Sequence, residues 1–296
     1  MRDRAQSDDG DGLSRRRLLA GAAAVGATGL AGCASVVRVD GVERTVERSF
    51  PASDVTSLRV TDAVDDIALT GTADSSVRVR AKKRGVKRDS TDALTLDADL
   101  SDGVLSVSTD RSDSLGTWRA GIDLELHVPD GVAVEAAATT DGDIVAEGVG
   151  GPATFESDDG DITVRDLSGS ATIRTRDGDI AASSVDGRVT ATTRDGDVTV
   201  RAPGAVGTIG TDDGDIMADV PRIESSATVR TGDGDIVVRF GDDLDADVEA
   251  TTGDGRVLAT GLANVDTSTE TAVIGQVGLG GTPLTVHSDD GDITLQ

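Results

Sequence analysis

The feature that most constrains this chain is a tetrad, Asp-Gly-Asp-Ile/Val, that begins at Asp141, Asp159, Asp177, Asp195, Asp213 and Asp233. The spacings are 18, 18, 18, 18 and 20 residues. A variant follows at Asp254-Gly255-Arg256-Val257, and a faithful copy returns 36 residues later at Asp290-Gly291-Asp292-Ile293. Between these two, Ile274-Gly275-Gln276-Val277 reads as a worn copy. A half-period also shows, with Asp186-Gly187 midway between Asp177 and Asp195. Apolar residues alternate between the turns, as in Ile162/Val164, Ala171/Ile173, Val189/Ala191 and Val198/Val200. Period-two runs bounded by Asp-Gly turns are short, half-buried strands.

A unit of strand, turn, strand, turn in 18 residues cannot bury its apolar face alone, but stacked copies can. The expected fold is all-β: a flattened parallel β-solenoid with two-strand coils of about 18 residues, spaced about 4.8 Å apart. An antiparallel sandwich, whose turns also recur at short intervals, is the competing architecture. Residues 47–130 carry strand-like segments with irregular loops and read as an N-terminal β portion that caps the stack. There Asp65-Asp66-Ile67 and Asp102-Gly103-Val104 read as decayed repeat starts. Residues 131–296 form the repeat region.

The N-terminus reads as an address. Ser14-Arg15-Arg16-Arg17-Leu18-Leu19, an Ala/Gly-rich stretch and Leu30-Ala31-Gly32-Cys33 follow in the order of a secretory signal. Arg15 and Arg16 resemble a twin-arginine export signal. The residues before Cys33 resemble a lipobox, in which the thiol receives the lipid and cleavage leaves Cys33 as the first residue. Residues 1–32 are then a removed signal and 33–46 a lipidated tether, and the membrane becomes a partner through Cys33. The expected location is extracytoplasmic, on the outer face of the cell membrane. Two acyl chains, at about 0.8 kcal/mol per buried methylene, would anchor the chain firmly.

Composition narrows the function. Of 296 residues, 54 are Asp or Glu and 28 Lys or Arg, a net charge of −26. Such a field repels phosphate, which excludes nucleic-acid binding by charge neutralisation. With one Trp, three Phe and no Tyr, aromatic stacking platforms are nearly absent. Two histidines and one cysteine leave little for zinc, disulfides or imidazole catalysis. Lys82, Lys83 and Lys87 are the only lysines, and excess Asp with scarce Lys fits a protein kept soluble in concentrated salt.

A family resemblance rests on particular residues. Phe50 leads into Val55–Val60, then comes Asp66-Ile67-Ala68-Leu69-Thr70-Gly71. Next is the step Leu124-Glu-Leu-His-Val-Pro-Asp-Gly-Val-Ala-Val134, and then the Gly-Asp-Ile ladder. Over residues 47–296 the chain resembles the putative-adhesin domain-of-unknown-function family of β-strand-repeat proteins. The resemblance implies a cell-envelope β-solenoid and supplies no catalytic residues.

Stacked coils would place Asp159, Asp177, Asp195 and Asp213 in one row, and Asp161, Asp179, Asp197 and Asp215 in another. Neighbouring carboxylates about 5 Å apart repel by roughly 1 kcal/mol in water, and concentrated salt screens this. Good turn chemistry explains Asp-Gly without a ligand. These eight are nevertheless the candidates for weakly bound Ca²⁺ or Mg²⁺; no other cofactor is implied. Right-handed β-helices also host polysaccharide-cleaving enzymes that use paired carboxylates, but Asp pairs recur everywhere here. His127, His287 and Trp118 read as ordinary structural positions. The basic run Lys82–Arg88 reads as a solvated loop, or as a contact for anionic glycans, headgroups or an acidic neighbour. The leading expectation is a non-enzymatic surface protein that binds envelope glycans or surface proteins. The alternatives are a carbohydrate-active enzyme and a cation-stabilised spacer.

Overall fold

The computed structural model describes residues 43–85, 88–111 and 120–296. They are strands almost throughout, with a one-turn 3₁₀ segment at Ala52–Asp54 and a short helix at Arg88–Asp92. The strands form two ladders that share one core. Each repeat gives one strand to each ladder, and the chain crosses between them at Asp-Gly-Asp. Thus Ala153–Asp159 pairs in parallel with Ala133–Asp141 on one side and Ala171–Arg174 on the other. Ile162–Leu167, beyond the turn, pairs in parallel with Ile144–Glu147 and Ile180–Thr192. The long strands Ile180–Thr192 and Val198–Gly210 run through both ladders and join them into one 23-stranded sheet.

Alternation fills the interior. Ile144, Ile162, Ile180, Val198, Ile216 and Ile236 face inward from one ladder; Ala137, Phe155, Ile173, Ala191, Ile209 and Val229 face inward from the other. All are essentially inaccessible to solvent, and each large one contributes about 1.5–3 kcal/mol by burial. The second corner of three successive repeats is turned by a non-glycine residue in the left-handed region: Asp166, Ser184 and Ala202, with φ of 53°, 53° and 46°.

The stack begins earlier than residue 131. Ser57–Ala63 and Ile67–Thr72 pair in parallel with Ala133–Asp141 and Ile144–Glu147, so they form a repeat of their own. Val104–Arg111 and Gly121–Pro129 pair in parallel on their far side. Beyond these the pairing turns antiparallel, through Leu94–Ser101, Ser76–Arg84 and Glu43–Pro51. Asp65-Asp66 is a true repeat start, whereas Asp102-Gly103 is not. Asp102 and Gly103 take φ of 52° and 81° in a hairpin turn between Leu94–Ser101 and Val104–Arg111.

At the other end the strands leave sequence order. Ile223–Asp233 and Ile236–Phe240 pair not with the next repeat but with the last, Thr282–Asp290 and Ile293–Leu295. Ala246–Asp254 and Val257–Ala259 then pair on the outer side of that last repeat. The chain between them folds back as Ala272–Val277, antiparallel to both Ala246–Asp254 and Asn264–Ser268. Ile274-Gly275-Gln276-Val277 is therefore a hairpin strand and not a worn tetrad; its alternation marks a strand but carries no Asp-Gly-Asp turn.

Candidate functional site

The repeated turn is the most developed polar feature, and its two aspartates do different work. The second Asp of each tetrad binds its neighbour's backbone. Asp143 Oδ1 accepts from Asp161 N at 2.9 Å, and Asp161, Asp179, Asp197 and Asp215 accept in the same way from Asp179, Asp197, Asp215 and Asp235 at 2.8 Å. Asp66 starts the series by accepting from Asp143 N at 3.1 Å. It ends with Asp235 accepting from Asp292 N and Asp292 from Arg256 N, each at 2.8 Å. Each carboxylate thus supplies the acceptor for an amide in the neighbouring turn. This is a structural use of the row containing Asp161, Asp179, Asp197 and Asp215.

The first Asp of each tetrad forms the other row. Asp141, Asp159, Asp177, Asp195, Asp213 and Asp233 are successive parallel neighbours, followed by Asp290 and then Asp254. Here carboxylates face one another. Hydrogen bonding to Asp177 pushes the Asp159 and Asp195 carboxyls above the usual range, and partial desolvation with Asp254 and Asp233 nearby raises Asp290. Each carboxyl holds its proton more tightly because a second like charge beside it is unfavourable. No group of three or more His, Cys, Asp or Glu residues among those described is arranged to hold a metal ion.

A third row was not anticipated. Two residues before every tetrad stands a Ser or Thr: Thr139, Ser157, Thr175, Thr193, Thr211, Thr231, Thr252 and Ser288. All are buried, and each from Ser157 onward donates its hydroxyl hydrogen to a tetrad-glycine carbonyl of the adjacent turn, at 2.8–3.0 Å. The full unit is Ser/Thr-x-Asp-Gly-Asp, and the unbroken Ser/Thr at that offset was the available signal. The glycine between them is obligatory. Gly178 has φ of 149°, and a Cβ there would lie 2.3 Å from the Gly160 carbonyl oxygen.

Other predicted positions are dispersed. Arg15, Arg16 and Cys33, with Trp118 and Lys87, lie outside the described residues. His127 sits on the strand Gly121–Pro129, away from His287 on Thr282–Asp290. His287 Nδ1 lies 2.9 Å from Thr251 Oγ1, and its Nε2 lies 3.1 Å from Asp289 Oδ1. The connectivity is hydroxyl, imidazole, carboxylate, but it stands on an open sheet face with the Asp289 side chain 77% exposed. A groove of about 410 Å³ near Asp62, Glu156 and Arg174, and another of about 460 Å³ near Pro203, Pro221 and Phe240, both lie elsewhere. Lys82 and Arg84 belong to a strand, not a loop, and pair with Glu125 and Asp123 of the same chain. Lys83 faces inward to the Leu94 carbonyl, and burial lowers its pKa.

The model of the family described as Toastrack DUF4097 matches residues 136–212 and 204–296, more than half the chain. The chain belongs to this family. Solved structures with a similar course include a "putative adhesin" from Bacteroides fragilis, at 13% identity and a TM-score of 0.48, covering 86% of this chain and 97% of that one. A second "putative adhesin", from Parabacteroides distasonis, shows 13% identity and a TM-score of 0.43, with 88% and 99% covered. A third, from Parabacteroides merdae, shows 12% identity and a TM-score of 0.37, with 89% and 100% covered. No curated protein matches the chain. No helix among the described residues is long and apolar enough to cross a membrane.

Proposed function

We propose that this Toastrack family member is a non-enzymatic, lipid-anchored cell-surface protein. Its stacked repeats form a parallel β-solenoid that presents an extended face to envelope glycans or surface proteins in concentrated salt. The observation that carries the reading is the use made of the tetrads. From Asp66 to Asp292 the second-position carboxylates are spent on backbone amides of the neighbouring turn, which is a scaffold's use of aspartate rather than a catalyst's. Support for high salt comes from the facing row of first aspartates and from a net charge of −26, since salt near 1 M shortens the screening length to about 3 Å. Support for the anchor is the sequence before Cys33.

Two measurements test this. Cys33→Ser should move the protein from the membrane fraction into the medium; retention in the membrane overturns the anchor. Hydrolase and lyase assays on cell-surface polysaccharides should show no turnover. Robust turnover abolished by His287→Ala or by a single Asp change would replace the scaffold with an enzyme.

A further inference from the structure

We propose that the outward face of the ladder containing Ala153–Asp159 binds a carboxylate-bearing glycan, held by Arg188 and Arg230 on either side of Thr208. The inference rests on the reading of the protein as a surface scaffold that binds envelope glycans; it names the class of glycan and the place where it sits.

Two glycines make the place. Where the register shifts after Val206, the strand Val198–Gly210 turns Gly207, Thr208 and Gly210 to its outer side, while Val206 and Ile209 stay in the core. Neither glycine has a side chain to fill its position, and an arginine from a neighbouring strand lies there instead. A Cβ on Gly207 would meet Arg188 Nε at 2.6 Å, and one on Gly210 would meet Arg230 Cγ at 3.3 Å and its Nε at 3.6 Å. Arg188 comes from Ile180–Thr192 and crosses over Gly207 to donate from Nη2 to the Ser226 carbonyl at 3.3 Å. Arg230 reaches in from Ile223–Asp233, the strand on the opposite side.

The chain itself leaves these two guanidinium groups largely unused. Arg174 and Arg176, further along the same face, lie 3.1 Å from Glu156 and Asp158 respectively. Arg188 and Arg230 pair with no carboxylate among the described residues, and Arg188 Nε is buried without a hydrogen-bond partner. A guanidinium presents a planar fork of donors that matches a carboxylate. Hydroxyls surround the pair. Thr154, Thr172 and Thr190 are successive outward register partners, and beyond the shift so are Thr208, Thr228 and Thr285. Such hydroxyls both donate to and accept from the hydroxyls of a sugar. The exposed large apolar residues, Val145, Leu258, Val265, Ile274 and Leu279, all lie off this face, so it lacks the apolar anchor of a protein-docking surface. A net charge of −26 repels a continuous polyanion. Carboxylates spaced among neutral sugars meet less repulsion, and about 1 M salt confines what is left to roughly 3 Å.

The test titrates the full chain carrying Cys33→Ser, in about 1 M salt, with hyaluronan oligosaccharides, whose uronates alternate with neutral sugars. A parallel titration uses the same oligosaccharides with their carboxyls reduced to alcohols. Calorimetry should show binding of the first and none of the second. Arg188→Gln and Arg230→Gln should each weaken binding by about tenfold or more, the worth of a hydrogen bond to a charged group, without moving the melting transition. Gly207→Ala keeps every charge but displaces the Arg188 side chain, and it should weaken binding as well. Arg165→Gln, at an exposed position on the other ladder, should leave affinity where it is. Failure of the uronate form to bind overturns the proposal, as does an affinity untouched by carboxyl reduction or by the two arginine changes. Polyglutamate binding as tightly as the oligosaccharide would make the face a protein-docking surface and also overturns it. Envelope polysaccharide that binds equally before and after carboxyl reduction would overturn this inference alone and leave the glycan-binding reading standing.

Discussion

Replacing Thr193 by Val tests whether the buried hydroxyl row holds the stack together. Thr193 is 8% exposed, and its hydroxyl donates to the Gly178 carbonyl of the adjacent turn at 3.0 Å. Val preserves the shape and removes the donor. The loss of a neutral hydrogen bond costs about 1 kcal/mol, and an acceptor left unpaired in a water-poor corner raises this to roughly 2 kcal/mol. A domain of this size loses about 2–4 °C of melting temperature per kcal/mol, so Thr193→Val should melt about 4–8 °C below the parent. Two controls isolate the hydroxyl. Thr193→Ser keeps the donor and should recover most of the loss. Thr190→Val, on the outward half-buried side of the strand Ile180–Thr192 that leads into Thr193, should fall within about 0.5 kcal/mol of the parent. Circular dichroism melts of all four proteins in one high-salt buffer give the comparison. If Thr193→Val melts with Thr190→Val, or Thr193→Ser falls as far as Val, the row is incidental and the reasoning fails.

Other consequences are equally direct. Gly178→Ala drives a Cβ to 2.3 Å from a backbone oxygen at a φ of 149°, so it should abolish cooperative melting or lower it far more than Thr193→Val. The raised Asp159, Asp195 and Asp290 carboxyls bind protons more tightly folded than unfolded, so their contribution falls as pH rises through the carboxylate range. At low salt, changing all three to Asn should raise the melting temperature at pH 7 and flatten its dependence on pH; an unchanged profile refutes this. The benefit should shrink at 1 M salt, where the repulsion is already screened. Exchanging Ca²⁺ for chelator at constant high ionic strength should leave the transition where it is, and a shift of several degrees would restore a metal role to the Asp rows.

Much of the architecture was legible because repetition multiplies weak signals. One Asp-Gly turn says little, but six tetrads in register with alternating Val, Ile and Ala between them specify strands, corners and inward faces together. Even the outlying Asp65-Asp66-Ile67 was readable on that template. The turn's chemistry was half legible. Asp-Gly-Asp stood out, whereas the Ser/Thr two residues earlier hid among many other threonines, and nothing local showed which aspartate would meet an amide and which another carboxylate. Lys82 and Arg84 read as exposed charge because their partners, Glu125 and Asp123, lie about 40 residues away in sequence.

The sequence by itself determined the repeating unit, since turn propensity and period-two burial act within a few residues. It determined the composition of the interior for the same reason. Only the tertiary structure decided which repeat stands beside which. Tetrads that are nearly identical offer nearly identical edges, so local signals cannot rank their neighbours. The last repeat stands inside the one before it because Thr282–Asp290 pairs with Ile223–Asp233 on one side and Ala246–Asp254 on the other, and the outer edge of Ala246–Asp254 is taken by Ala272–Val277, all partners distant in sequence.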